Sequence, residues 1–171
     1  MPANRILTSH VGSLIRPPEL LSLLEKRRDG GAVEDSAIDA AKAKAVHDVI
    51  RHQAEIGIDI VNDGEFGKNL SWSRYILERL GGFEPRPAQK SDVFARATFG
   101  KDRRDFADFY AEYDPTQKMS GISNWAVTGP ITYKGQAALA ADLARFKAAL
   151  QGVAVTDAFY PAVAPSSVAI D

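Results

Sequence analysis

Apolar residues along this chain follow two patterns, one typical of helices and one typical of strands. Spacings of three and four residues predict helices, and short runs of β-branched residues predict strands between them. The predicted helices cover residues 19–26, 36–57, 71–80 and 137–152. The predicted strands cover residues 5–11, 58–61, 124–133 and 153–170. Because strands and helices alternate, the sequence predicts an α/β fold with a parallel sheet and right-handed crossovers.

The segment at about 83–123 interrupts this alternation. Its pattern is weaker, with a strand-like run at 92–99 and a helix-like run at 103–113, and it is interpreted as an insertion carried on a loop. The chain has 171 residues, 45% hydrophobic and 25% charged, which is typical of a soluble globular protein with its own core. A single domain spanning residues 1–171 is therefore expected.

Charge and composition exclude several classes of protein. The net charge is −1 and the basic residues are scattered, so a nucleic-acid partner is not expected. No apolar run has the length of a signal peptide or a membrane span, which predicts a cytoplasmic protein without a membrane partner. The chain has no cysteine, so it offers no disulfide, thiol nucleophile or thiolate metal ligand.

Small and polar residues stand where predicted strands end, which is where parallel α/β folds bind ligands. Three segments have this property: residues 10–13, residues 62–65 and residues 128–130. His10 either acts on a ligand or hydrogen-bonds to a neighbouring loop. Gly12 and Ser13 form either a simple turn or a site where backbone amides and a hydroxyl accept a carboxylate.

Asp63 and Glu65 bracket a glycine in the second of these segments. Two close carboxylates either separate their pKa values or share a cation, although the same residues also suit a solvated turn. No zinc-ligand spacing can be built from the three histidines, because His47 and His52 are five positions apart on a predicted helix. No metal site is therefore predicted in this chain.

Four segments in order resemble the cobalamin-independent methionine synthase family, in particular its C-terminal catalytic barrel and the stand-alone methionine synthase II relatives. They read TSHVGSLIRPPEL, QAEIGIDIVNDGEFGKNLSW, VTGPIT and AFYPAVAPSSV, and together they span nearly the whole chain. The resemblance implies a TIM-type (β/α)₈ barrel. Since a full barrel needs about 250 residues, this chain would supply the first four strands, a half-barrel with an insertion after strand 2.

The resemblance also implies an activity, the transfer of a methyl group from a folate-like donor to a thiol such as homocysteine, with zinc polarising the thiol. Val11, Gly12, Ser13 and Glu65 match the family's substrate-binding segments. Glu65 would hold the substrate ammonium group, and Ser13 with its neighbours would hold the carboxylate. His10 and Asp63 are predicted as catalytic residues, with His10 orienting substrate, acting as a general base or bracing its loop.

The family's zinc ligands, mainly cysteines and a histidine, fall in the second half of the barrel, beyond the segments that match. Zinc is therefore implied as a cofactor whose ligands are not in this chain. The expected partners are a thiol amino acid, a folate-type methyl donor, and either a second copy or a complementary half-barrel chain. One other interpretation is a non-catalytic amino-acid-binding or regulatory module of the same fold. Another is a decarboxylase of the uroporphyrinogen type, which fits less well because its porphyrin substrates would require clustered arginines, and this sequence has no such cluster near these loops.

Overall fold

The computed structural model describes residues 5–70, 72–86, 101–113 and 124–164. These residues divide into two compact units, the first built from Met1–Tyr75 and Lys134–Val163, and the second mainly from Ile76–Tyr133. The first unit contains α1 (Pro18–Arg28), α2 (Asp35–Glu55), β1 (Ile60–Val61), α6 (Gln136–Ala149) and β4 (Asp157–Ala158). Helix α3 (Trp72–Leu77) leads into the second unit, which contains β2 (Leu80–Arg86), α4 (Lys101–Asp105), α5 (Ala107–Tyr113) and β3 (Asn124–Tyr133).

Helix α2 is the centre of the first unit, and its apolar positions explain why. Ile38, Val46 and Ile50 share one face and are buried in a core that also contains Leu20 from α1 and Phe146 from α6. These three helices confirm the sequence predictions to within a few residues. Among the described residues, no helix combines the length and the apolar character that crossing a bilayer requires.

Helix α2 ends in a Schellman motif that turns the chain directly into β1. Gly57 has a φ of +87°, which glycine adopts without the strain that a Cβ would bring. The Gly57 N–H donates to the Ala54 carbonyl at 3.1 Å, and the Ile58 N–H donates to the Gln53 carbonyl at 2.9 Å. The predicted helix end at Gly57 is confirmed.

The parallel pairing of the first unit is short. Strand β1 pairs with β4 in parallel, with Ile60 opposite Asp157 and Val61 opposite Ala158. On the other side of β1, the predicted strand at 5–11 contributes a single parallel bridge from Ser9 to Ile60. Residues that follow Ser9, β1 and β4 therefore leave the sheet at the same edge.

The predicted half-barrel is wrong. Among the described residues there are four short strands in two separate two-stranded sheets, β1 with β4 and β2 with β3, instead of one parallel sheet of four strands. The 124–133 segment is a strand, as predicted, but β3 pairs antiparallel with β2. The error arose at residues 80–86, where two glycines were interpreted as a helix end although they lie in a strand.

The predicted insertion at about 83–123 belongs to the second unit. It begins inside β2 and ends just before β3, and the helix-like run at 103–113 falls on α4 and α5. The strand predicted at 92–99 lies outside the described residues. The segment at 128–130 was predicted to follow a strand, but it lies within β3 and so belongs to the second unit.

Asp59, immediately before β1, ties the N-terminal segment to the first unit. Its carboxylate accepts two hydrogen bonds from Arg5, and it accepts the Thr8 N–H at 2.8 Å and the Thr8 hydroxyl at 3.0 Å. The Arg5 hydrogen bonds, together with those from Thr8, hold the pKa of Asp59 well below its usual value. The charged form is therefore favoured in the folded state.

This pKa predicts how stability depends on pH. Because the folded pKa of Asp59 is depressed, its contribution is complete above the unfolded value of about 4 and is lost as the pH falls below it. Asp59→Asn should lower the free energy of unfolding at pH 7. In this variant the free energy of unfolding should also fall less steeply than in the wild type as the pH is lowered from about 5 to about 2. Urea denaturation followed by circular dichroism over this range measures both effects. Arg5→Met should likewise reduce the dependence of the free energy of unfolding on pH in this range. If this dependence is the same in both variants as in the wild type, the prediction is wrong.

Candidate functional site

Two loops of the first unit meet at the edge of the short parallel sheet. We call residues 10–16 the first loop and residues 62–69 the second loop. The Leu14 N–H donates to the Gly64 carbonyl at 3.0 Å, and the Asn62 side-chain amide donates to the His10 carbonyl at 2.6 Å. A main-chain and a side-chain hydrogen bond therefore fix the position of one loop against the other.

Helix α2 holds the start of the second loop through a buried pair of amide side chains. The Gln53 side chain donates to the Asn62 carbonyl at 2.7 Å and accepts the Asn62 N–H at 3.2 Å. The Asn62 side-chain oxygen accepts the Gly64 N–H at 2.8 Å. Because both amides are buried and hydrogen-bonded, the residue that leaves β1 has a defined position.

Asp63 shapes the second loop from inside. It has no exposed surface, and its two carboxylate oxygens accept the N–H of Glu65 at 3.0 Å and the N–H of Gly67 at 3.3 Å. Glu65 adopts a φ of +62°, the left-handed region that side chains other than Asn and Gly rarely occupy. The hydrogen bonds of Asp63 thus hold Glu65 in a strained conformation.

The central contact of the site joins the two loops through side chains. The Ser13 hydroxyl donates to Glu65 Oε2 at 2.5 Å. Ser13 is exposed, whereas the Glu65 side chain retains only 15% of its surface. Two residues that are 52 positions apart in sequence, and that were both predicted to bind substrate, are therefore in direct contact.

Two cations at the site were not predicted from the sequence. The Lys68 ammonium lies 3.2 Å from Glu65 Oε1, and the Lys68 side chain is 4% exposed. Arg16 donates to the main-chain carbonyls of Glu65 at 3.2 Å and Asn69 at 2.8 Å. The available signal was a lysine and an arginine within the segments that carry Ser13 and Glu65, but these residue types are usually solvated and the sequence does not show that they face the site.

The two carboxyl groups of the second loop have pKa values shifted in opposite directions. Burial raises the pKa of Asp63, and the N–H groups of Glu65 and Gly67 together with Lys68 only partly offset it. Burial also acts to raise the pKa of Glu65, but the Ser13 hydrogen bond and the charges of Lys68 and Arg16 outweigh it, so this pKa falls below its usual value. Glu65 is thus the carboxylate available to a cationic ligand.

The other predicted residues of the first loop take different positions. The His10 ring is hydrogen-bonded through Nε2 to the Gly12 carbonyl at 3.0 Å, and within the described residues it has no hydrogen bond to Asp63 or Glu65. Gly12 has a φ of +98°, and the Val11 side chain is 81% exposed. In the described part of the chain, the main-chain N–H groups of residues 11–13 donate no hydrogen bond to another main-chain group.

Zinc does not fit the residues that the structure describes. The sequence contains no cysteine, and the described residues hold no group of three His, Asp or Glu side chains that could bind a metal ion. The donors nearest the centre of the site are the carboxylates of Asp63 and Glu65, and both already accept hydrogen bonds from the protein. We therefore assign no metal-dependent step to this chain.

Comparison with known proteins finds limited similarity. No protein-family model matches this chain. It is 36% identical over 77 residues to the uncharacterized protein YxjH of Bacillus subtilis (strain 168). The matched segment covers 44% of this chain and 20% of that relative, so it spans only a fifth of the relative's length.

Proposed function

We propose that the two loops bind the charged end of a small thiol amino acid such as homocysteine. The observation that supports this most directly is the 2.5 Å contact between Ser13 and Glu65, because it brings both proposed binding groups to one point. Glu65 would bind the ammonium group. The Ser13 hydroxyl and the main-chain N–H groups of residues 11–13 would bind the carboxylate.

Binding would exchange one set of hydrogen bonds for another. In the free protein the Ser13 hydroxyl donates to Glu65, so an arriving ammonium group would take over part of the hydrogen bonding to that carboxylate. The exposed Ser13 side chain could then rotate its hydroxyl toward the ligand carboxylate. Asp63 would act through the backbone that it holds, and His10 would orient the ligand, act as a base or brace the first loop.

The resemblance to the cobalamin-independent methionine synthase family extends this proposal to an activity. The chain would supply the amino-acid-binding part of a cytoplasmic methyltransferase that acts on a thiol with a folate-type methyl donor. Because zinc does not fit the described residues, methyl transfer would require a complementary polypeptide that supplies the zinc ligands. The described residues contain no group that could bind a metal ion, which supports a second candidate, an amino-acid-binding or regulatory module without catalysis.

Isothermal titration of the purified chain with homocysteine tests the binding proposal. We expect a Kd between about 1 µM and 1 mM, the range in which KM values of enzymes for their substrates usually fall. Ser13→Ala should weaken binding about fivefold, the typical effect of one lost hydrogen bond. Ser22→Ala, which removes an exposed hydroxyl on α1, is the matched control and should bind like the wild type. No binding at millimolar homocysteine would contradict the proposal.

A second assay separates the two candidate functions. The chain is mixed with the product of the adjacent gene, and methyl transfer from methyltetrahydrofolate to homocysteine is measured. Methionine formation that requires both polypeptides supports the methyltransferase, whereas homocysteine binding without methionine formation supports the binding module.

A further inference from the structure

Lys68 is almost completely buried, and its ammonium group lies against the one carboxylate proposed to bind a ligand. The Nζ to Oε1 distance to Glu65 is 3.2 Å, and the Tyr75 ring centroid lies 6.0 Å from Nζ. Burying an ammonium group is unfavourable unless a partner compensates it. Lys68 therefore partly neutralises the negative charge of Glu65 that a ligand would meet.

The charges around Glu65 balance. Asp63 and Glu65 carry the negative charges, Lys68 and Arg16 carry the positive charges, and each of them interacts with at least one other member of the group. With all four ionised, the formal charge of the site is zero. A zwitterion leaves a neutral site neutral, whereas an amine or a carboxylic acid without its opposite charge brings an uncompensated charge into a partly buried place.

We propose that Lys68 is a specificity-determining residue, which balances Glu65 so that the site selects zwitterionic α-amino acids over the corresponding amines. This inference rests on the proposed amino-acid binding. The feature of the ligand that the site would distinguish is the presence of both an ammonium group and a carboxylate. Without Lys68 the site would carry one excess negative charge. It would then favour a simple cation more strongly than a zwitterion.

A second effect of Lys68 is on the pH range of binding. Glu65 faces Lys68 and Arg16, which favour its charged form, and Asp63, which disfavours it. Removing Lys68 takes away one of the two favourable charges and raises the pKa of Glu65. The loss of binding on the acid side should therefore begin at a higher pH in a variant without Lys68.

Three thiols of matched length test the selectivity: homocysteine, 3-mercaptopropylamine, which lacks the carboxylate, and 4-mercaptobutyrate, which lacks the ammonium group. The wild type should bind homocysteine at least about tenfold more tightly than either analogue. Lys68→Met should reduce the preference for homocysteine over the amine by about tenfold, and Lys68→Arg should restore it. Lys44→Met, which removes an exposed lysine of α2, should leave the preference unchanged. Lys68→Gln, which keeps a hydrogen-bond donor, replaces the methionine variant if that variant does not fold.

The outcomes separate the two proposals. A wild type that binds homocysteine, with Lys68→Met and Lys68→Gln keeping the same preference, overturns the role of Lys68 and leaves amino-acid binding intact. A wild type that binds none of the three thiols overturns the proposed function and the selectivity together. Carbon-13 NMR titration of the Glu65 carboxyl group without ligand adds an independent measurement. A Glu65 midpoint that is unchanged in Lys68→Met and Lys68→Gln overturns the electrostatic argument whatever the ligand data show.

Discussion

Asp142→Ala is expected to lower the free energy of unfolding by about 3 kcal/mol, the largest effect on stability that we predict. The Asp142 carboxylate is buried on α6, where it accepts the Tyr75 hydroxyl at 2.7 Å and pairs with Arg145 at 3.0 Å. Without Asp142, the buried Tyr75 hydroxyl loses its charged hydrogen-bond acceptor. The Arg145 guanidinium, whose side chain is only 13% exposed, loses a compensating negative charge. Urea denaturation at pH 7 measures the change.

Asp39→Ala is the matched control for this prediction. Asp39 pairs with the same Arg145 at 3.2 Å, but its side chain is 66% exposed. Exposed ion pairs contribute little, so this variant should lose no more than about 0.5 kcal/mol. Equal losses in the two variants would show that burial of Asp142 does not govern its contribution.

Glu65→Gln is expected to weaken homocysteine binding by about 100-fold, because it removes the charge that would hold the ammonium group. The change is nearly isosteric, and the amide oxygen can still accept the Ser13 hydroxyl. Isothermal titration measures the affinity, and thermal unfolding of the same sample shows whether burial of Lys68 without its charged partner has reduced stability. The binding result is interpreted at a temperature where the variant is fully folded.

Glu55→Gln provides the control, since Glu55 is exposed at the end of α2 in the same unit. Its affinity for homocysteine should equal that of the wild type. If the Glu65 variant is folded and binds within about threefold of the wild type, Glu65 does not hold the ammonium group.

The helices were predictable because a helix with one buried face has apolar residues at three- and four-residue intervals, and this spacing is visible in the sequence. Ile38, Val46 and Ile50 occur at intervals that place them on one side of α2, and that side is the core. The end of the helix was predictable for an equally local reason. Gly57 provides the left-handed residue that the closing turn requires.

Strand pairing was not predictable, because the partner of a strand lies elsewhere in the sequence. The apolar run at 124–133 indicates a strand but not whether its neighbour is parallel or antiparallel. The neighbour is β2, where Gly82 has a φ of +83° and an added Cβ would lie 2.5 Å from the Pro130 carbonyl oxygen. Those glycines permit close approach within an antiparallel strand pair, a role that their spacing alone does not distinguish from ending a helix.

The candidate site was predictable in part. Ser13 and Glu65 were candidates because each follows a predicted strand, and strands that run parallel bring such residues to one edge. Their assignment as substrate-binding residues came from the resemblance to the cobalamin-independent methionine synthase family. Lys68 was missed because a lysine in a polar run is usually solvated, and only the folded chain shows that this one is buried against Glu65. His10 remains a predicted catalytic residue, with its ring hydrogen-bonded within its own loop.

The left-handed backbone at Glu65 has a consequence for how this protein can change under selection. Glycine and asparagine adopt that conformation more easily than glutamate does, but neither can compensate the buried Lys68 ammonium group. A substitution that relieves the backbone at position 65 therefore leaves a buried charge without its partner. Backbone strain and charge compensation thus place opposite demands on this position.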